Sequence, residues 1–316
     1  MRTTFFRFAY SFWEYSGRAC VGVALVGVLA GCSVLPKDEP TRAVTTAPAP
    51  ALTPKPPPRL PRIGLALGGG AARGFAHIGV LQVLEEQGIK PDLVVGTSAG
   101  SLVASLYASG KTPTELQTMA MTLDESSITD WVFPGRSLLK GEALAKFIRS
   151  QTGGKQIENM RLPLGIVAAD LQSGAPILFR RGDPGTAVRA SSAVPAVFEP
   201  VRINGREYID GGAVSPIPVR FARQMGAEVV IAVDISAIPQ GQPTKRAVDI
   251  LLQTFNIMGH AISQHELAEA DVVMRPKLEG IGSADFSARR LSILAGREAA
   301  LMVLPQLKER IAARTR

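Results

Sequence analysis

The chain has 316 residues, 46% of them hydrophobic and 20% charged, with a formal net charge of +8. That balance excludes a disordered or fibrous chain and supplies enough apolar surface for a sizeable core. The Lys and Arg residues are scattered, with no block of five or more to mark a nucleic-acid patch, so the mild positive excess fits solubility or a surface facing anionic lipid.

Arg2, Arg7 and Arg18 precede an apolar run over residues 19–30 that ends in Leu29-Ala30-Gly31-Cys32. The run is too short to span a bilayer, and its order is that of a secretory signal, though with a long basic region. The last four residues resemble the lipobox of bacterial lipoproteins, in which the Cys is acylated and everything before it removed. Residues 1–31 are therefore expected to be a signal peptide and Cys32 a lipidated N-terminus. Ser33 stands where an Asp often marks retention at the inner membrane, which favours the outer membrane, facing the periplasm. Cys20 would leave with the signal, so no internal disulfide could form. Three Arg and one Glu would leave too, bringing the net charge to about +6. Residues 32–62 carry Pro36, Pro40, Pro48, Pro50, Pro54, Pro56, Pro57, Pro58 and Pro61. Neither helix nor ladder forms in such a stretch, which reads as a tether of at most ~90 Å at about 3.1 Å per residue.

From residue 63 onward short β-branched runs alternate with longer amphipathic segments, the pattern of one α/β domain with a mostly parallel sheet. Strands are predicted over 63–67, 93–95, 164–168, 177–179, 229–233 and 272–274. Helices are predicted over 74–87, 102–107, 142–148, 218–225, 247–270 and 288–313, with basic residues late in the last one as the helix dipole favours. There is no internal repeat.

Three short motifs carry chemistry. The first, Leu65-Ala66-Leu67-Gly68-Gly69-Gly70-Ala71-Ala72-Arg73-Gly74, runs from a strand through a Gly-rich turn into a helix. It fails the dinucleotide fingerprint, because Arg73 stands at the sixth position and Gly74 comes one place late. What it offers is a set of backbone N–H groups at a helix start, suited to a developing oxyanion. The second, Gly96-Thr97-Ser98-Ala99-Gly100, lies between an apolar strand and a helix, the setting of a nucleophile elbow. There the turn is so tight that Gly96 and Gly100 leave no room for side chains. The third is Tyr208-Ile209-Asp210-Gly211-Gly212, which by itself would read as a turn.

In this order the three motifs resemble those of the patatin-like phospholipase family, and Ser191-Ser192-Ala193-Val194-Pro195-Ala196-Val197-Phe198 resembles the segment that family carries before its Asp motif. The resemblance covers residues 63 to about 235. It implies a three-layer α/β/α domain over 63–316, with 236–316 as a helical cover, and a hydrolase of lipid acyl esters. Ser98 would be the nucleophile, Asp210 the base, Gly69 and Gly70 the oxyanion donors, and Arg73 a brace for their loop. An Asp is a weak base at neutral pH, so Asp210 should need a partly desolvated setting.

Other arrangements are open to the same residues. Ser98, Asp234 and His265 follow the chain order of a conventional Ser-Asp-His triad, although His260 and His265 both fall within a predicted helix. A non-catalytic envelope lipoprotein that binds lipid or a partner is possible, as is acyl transfer to an acceptor other than water. His77, one turn into the first helix, reads as a packing residue. No His, Cys, Asp or Glu cluster has metal-ligand spacing, so neither a metal nor a cofactor is expected. The partners implied are a lipid ester and the membrane. Arg180 and Arg181 read as a solvated turn, and Trp131-Val132-Phe133-Pro134-Gly135 as either a membrane-touching roof over an acyl pocket or a small satellite core.

Overall fold

A computed structural model of the chain describes residues 59–130, 138–240, 244–282 and 284–316. The expected signal peptide, Cys32, nearly all of the tether and the 131–135 aromatic stretch lie outside the described residues. Strand β1 (Ile63–Leu67) is buried at every position, as a strand covered on both faces must be. Leu65 and Leu67 enter one core and Ala66 enters another on the opposite face.

The chain continues through α1 (Ala76–Glu86), β2 (Leu93–Thr97), α2 (Ala99–Ala108), α3 (Pro113–Thr122), α4 (Glu142–Gln151), β3 (Leu164–Asp170), β4 (Pro176–Phe179), α5 (Pro184–Ser191), β5 (Val201–Ile203) and β6 (Arg206–Asp210). It ends with α6 (Val219–Gln224), β7 (Val229–Val233), α7 (Ala247–Ala268), β8 (Val272–Met274) and α8 (Arg289–Arg314). Among the described residues the strands form one eight-stranded sheet in the order β5-β6-β3-β2-β1-β7-β8, with β4 also paired to β3. The run β3-β2-β1-β7-β8 is parallel, and β4, β5 and β6 are antiparallel additions. The larger core lies under α1–α5 and α8, and the smaller under α6 and the end of α7. This is the expected three-layer α/β/α architecture with a mostly parallel sheet.

The register of β3 positions the site. Its residues 164–167 pair with β2, the last pair being Thr97 with Val167. The next residue, Ala168, pairs with Asp210 of β6. Because β4 pairs with residues 166–169 on the other side, β2 and β6 share one edge of β3 end to end. The residue after Thr97 is Ser98, so the two strand ends converge on the same point.

Four elements, β5, β6, α3 and α5, lie outside the sequence-predicted set. The β5–β6 hairpin turns on Asn204-Gly205, both at positive φ (51° and 81°), the two-residue turn that matches strand twist. Its short strands carry Arg202, Arg206 and Glu207, which obscure the alternation. Helix α3 begins with a reciprocal capping box between Thr112 and Glu115 and has Pro113 in its first turn. Helix α5 is capped by Asp183, which accepts the Thr186 N–H at 2.8 Å. The predicted 74–87 helix is instead a 3-10 turn (Ala71–Phe75) followed by α1. In the C-terminal region α8 crosses α1 at backbone contact: a Cβ on Gly79 would meet the Ile293 carbonyl at 1.9 Å, and one on Gly296 the Ala76 carbonyl at 1.9 Å.

Candidate active site

Ser98 occupies φ 53°, ψ −124° between β2 and α2. A non-glycine residue in that region is strained and persists only when its surroundings fix it. Here its N–H donates to Ser191 Oγ at 2.9 Å, and the Ser191 hydroxyl donates in turn to the Val167 carbonyl at 2.5 Å. Its carbonyl accepts from the Ser101 hydroxyl at 2.6 Å and the Ser101 N–H at 2.8 Å. The flanking glycines are required by space: a Cβ on Gly96 would lie 2.4 Å from the Gly100 carbonyl oxygen, and one on Gly100 would lie 2.1 Å from that of Leu67. The elbow is thus wedged against the end of β1, where the Gly-rich loop starts.

Asp210 closes β6 and is 2% exposed. Its N–H donates to the Ala193 carbonyl at 3.0 Å, and its Oδ1 accepts the Gly212 N–H at 2.6 Å. The Ser98 side chain is a neighbour close enough to favour the ionised form of its carboxylate. Burial pushes its pKa up to about 6, against the opposing pull of Ser98 and the Gly212 N–H. The desolvation expected for a usable base is therefore present. Gly211 is needed because a Cβ there would meet the Val167 carbonyl at 2.3 Å, and Gly212 sits against the Phe255 ring of α7.

The Gly-rich loop requires one correction. Gly69 and Gly70 were both expected to offer free amides, but the Gly69 N–H donates to the Pro216 carbonyl at 3.0 Å. What Gly69 supplies is clearance, since a Cβ there would lie 3.1 Å from Ser98 Cβ. The Gly70 N–H has no protein acceptor among the described residues. Arg73, 7% exposed, donates to the Gly70 carbonyl through both its N–H and its Nε, each at 3.2 Å. Burial lowers its pKa while nearby Asp234 opposes the shift. His77 is fully buried with Nε2 2.9 Å from the Gly68 carbonyl, so Nε2 carries the proton and donates. Burial holds its pKa down at about 4, which keeps it neutral, and its Nδ1 has no partner among the described residues. His77 and Arg73 therefore anchor two carbonyls of the loop.

The alternative triad is not assembled. Asp234 accepts from Ser236 N–H and Arg275 Nε, each at 3.0 Å, and His265 is exposed on α7. Arg180 and Arg181 are exposed before α5. Among the described residues no group of three or more His, Cys, Asp and Glu could hold a metal ion. Several contributors escaped the sequence-based expectations. Thr97 Oγ1 donates to the Ser215 carbonyl at 2.8 Å, and Ser191 supports the elbow from α5. Ala99 opens α2, so its amide lacks an intrahelical acceptor. Its place directly after a serine elbow was the available signal. A hydroxyl beside a buried carboxylate, next to unengaged amides, is the set of parts that acyl transfer through serine requires.

The family model for patatin-like phospholipases matches residues 65–223, about half of the chain. An uncharacterized NTE family protein of Mycobacterium tuberculosis is 34% identical over 206 residues, 64% of this chain and 57% of that protein. Patatin-like phospholipase domain-containing protein 6 of Homo sapiens is 37% identical over 183 residues, 55% of this chain and 13% of that one. The chain thus spans little more than half of the mycobacterial relative and a small part of the human one. The crystal structure of VipD from Legionella pneumophila superimposes with a TM-score of 0.52 at 14% identity, over 78% of this chain and 67% of that chain, a likeness of fold. Motifs, architecture and family match agree: the chain belongs to the patatin-like phospholipase family.

Proposed function

We propose that this protein is a serine acyl hydrolase acting on lipid esters. Ser98 Oγ attacks the acyl carbonyl as Asp210 takes its proton, and the tetrahedral oxyanion is met by the Gly70 N–H together with that of Ala99. Collapse breaks the ester bond, forms acyl-Ser98 and releases the alcohol, which receives the proton from Asp210. Asp210 then deprotonates a water that attacks the acyl-enzyme, and the fatty acid leaves as Ser98 is restored. A general base of this kind contributes on the order of a hundredfold to ten-thousandfold, and each oxyanion donor about a hundredfold to a thousandfold. The observation that carries the proposal is the buried Asp210 carboxylate beside the strained Ser98, its pKa raised to about 6.

The same proposal includes a lipid surface as the place of action, with Cys32 acylated and the body tethered at the outer membrane. No helix of the described residues is long and apolar enough to cross a membrane. The stretch of α7 from residue 250 to 265 holds no Lys, Arg, Asp or Glu, yet Ile250, Leu251, Ile257 and Met258 are about half exposed. Phe255 of that helix packs beside Gly212, so the helix that carries these exposed apolar residues adjoins the site with its inner side. This supports delivery of substrate from a lipid phase.

The test is a fluorophosphonate label and a panel of defined lipid esters, with products read by mass spectrometry. Expected are labelling that disappears in Ser98→Ala and release of free fatty acid. Folded protein that neither labels nor releases acid would overturn the proposal, and transfer of the acyl group to another alcohol would redirect it.

A further inference from the structure

Helix α7 sends one carboxylate inward. Glu266 is 7% exposed and lies beyond the stretch matched by the family model. Its Oε1 accepts from the Ser215 hydroxyl, and its Oε2 accepts the Ile217 N–H at 2.9 Å. Both donors belong to Ser215-Pro216-Ile217, an irregular crossing between the Asp motif and α6. This crossing touches all three motifs: the Ser215 N–H donates to the Gly211 carbonyl at 2.8 Å, the Ser215 carbonyl accepts Thr97 Oγ1 at 2.8 Å, and the Pro216 carbonyl accepts the Gly69 N–H at 3.0 Å. Thr97 immediately precedes the nucleophile and Gly69 immediately precedes Gly70.

A carboxylate in this position is costly to keep. Burial raises its pKa to about 7, and the facing charges are Arg220 of α6, whose Nε is 3.9 Å away, and Glu269 just beyond α7, which acts in the opposite sense. An apolar residue of similar size would leave the buried Ser215 hydroxyl and Ile217 N–H without acceptors, so the carboxylate is tied to holding this crossing and not to filling space. An irregular three-residue crossing has no ladder to fix it, and two acceptor oxygens from a helix supply that fixation.

We propose that Glu266 is a positioning residue that sets the 215–217 crossing and, through its two carbonyls, fixes the elbow and the Gly-rich loop at their working separation. The inference rests on the hydrolase proposal. Glu266→Gln keeps the size but replaces one acceptor by an amide NH2, so the Ser215 hydroxyl and the Ile217 N–H cannot both be satisfied as before.

In the full chain, Glu266→Gln should lower kcat for a soluble ester by on the order of tenfold to a hundredfold, leave KM within about twofold, and slow fluorophosphonate labelling in proportion. Amide hydrogen exchange over residues 68–72 and 96–100 should become faster. Asp271→Asn is the matched control: Asp271 accepts from Val230 N–H and Arg223 away from the loop, so its loss should lower Tm with kcat unchanged. An Glu266→Gln variant with wild-type kcat and unchanged exchange would overturn the inference, as would one that loses Tm like the control without a change in kcat. If wild-type protein neither labels nor hydrolyses, the hydrolase proposal fails separately. Exchange over those two segments then decides, faster in the variant supporting the positioning role and unchanged refuting it.

Discussion

Replacing Asp210 by Asn separates the two consequences of burying this carboxylate. Asparagine keeps an oxygen for the Gly212 N–H, which Asp210 Oδ1 now accepts at 2.6 Å, but it cannot take a proton from Ser98. Turnover should fall by on the order of a hundredfold to ten-thousandfold. Stability should move the other way. Asp210 is raised from the ordinary 3.8 to about 6, so the folded protein holds this proton more tightly than the unfolded chain does. The wild type is therefore at its full stability, as far as this group is concerned, below pH 4, and it loses ~3 kcal/mol as pH rises through 6. The Asn variant has no such loss. Urea unfolding at pH 4 and pH 8 should show the variant gaining on the wild type by ~2 kcal/mol between the two conditions. The wild-type kcat/KM should meanwhile fall off below about pH 6. A variant that retains turnover within tenfold, or a stability difference that does not change with pH, would refute the assignment.

His77→Ala should cost ~1–3 kcal/mol of stability through loss of the bond to the Gly68 carbonyl, yet keep kcat within about tenfold. The acid limb near pH 6 should persist in that variant, because His77 titrates near 4; a limb that disappears would make His77 the base. Gly296→Ala places a Cβ 1.9 Å from the Ala76 carbonyl oxygen, so α8 must move off α1 at ~1–3 kcal/mol, and an unchanged Tm would contradict the close crossing. Ile257→Asp combined with Met258→Asp should lower hydrolysis of phospholipid vesicles at least tenfold while a soluble short-chain ester is cleaved as before. Equal losses on both substrates would argue against a lipid-facing α7.

The catalytic candidates were legible in sequence because each is imposed by local backbone geometry. A serine at φ 53° needs glycines on both sides, and an Asp whose carboxylate caps its own turn needs Gly-Gly after it. Gly96 and Gly212 answer to near neighbours in the chain while Gly100 and Gly211 clear the Leu67 and Val167 carbonyls, but all four fall beside the residue they serve and so leave short strings that can be read directly. The buried strands β1 and β7 were equally plain, since full burial on both faces leaves an uninterrupted apolar run. The β5–β6 hairpin was less so, its Asn204-Gly205 signal being set between strands too short and too charged to alternate cleanly.

What only the tertiary structure decided is which groups are free and which are engaged. Gly69 and Gly70 are identical in sequence, and the Pro216 carbonyl, brought over from the far side of the Asp motif, takes the amide of one and leaves the other. Likewise Ser215 and Glu266 carry no motif, and the Ser191 segment, though recognisable, does not announce its bond to the elbow, because the partners are distant in the chain and depend on the shared edge of β3 and the path of α7. Local strain is written in adjacent residues. Long-range hydrogen bonding is fixed by strand register and helix packing, which no short stretch of sequence contains.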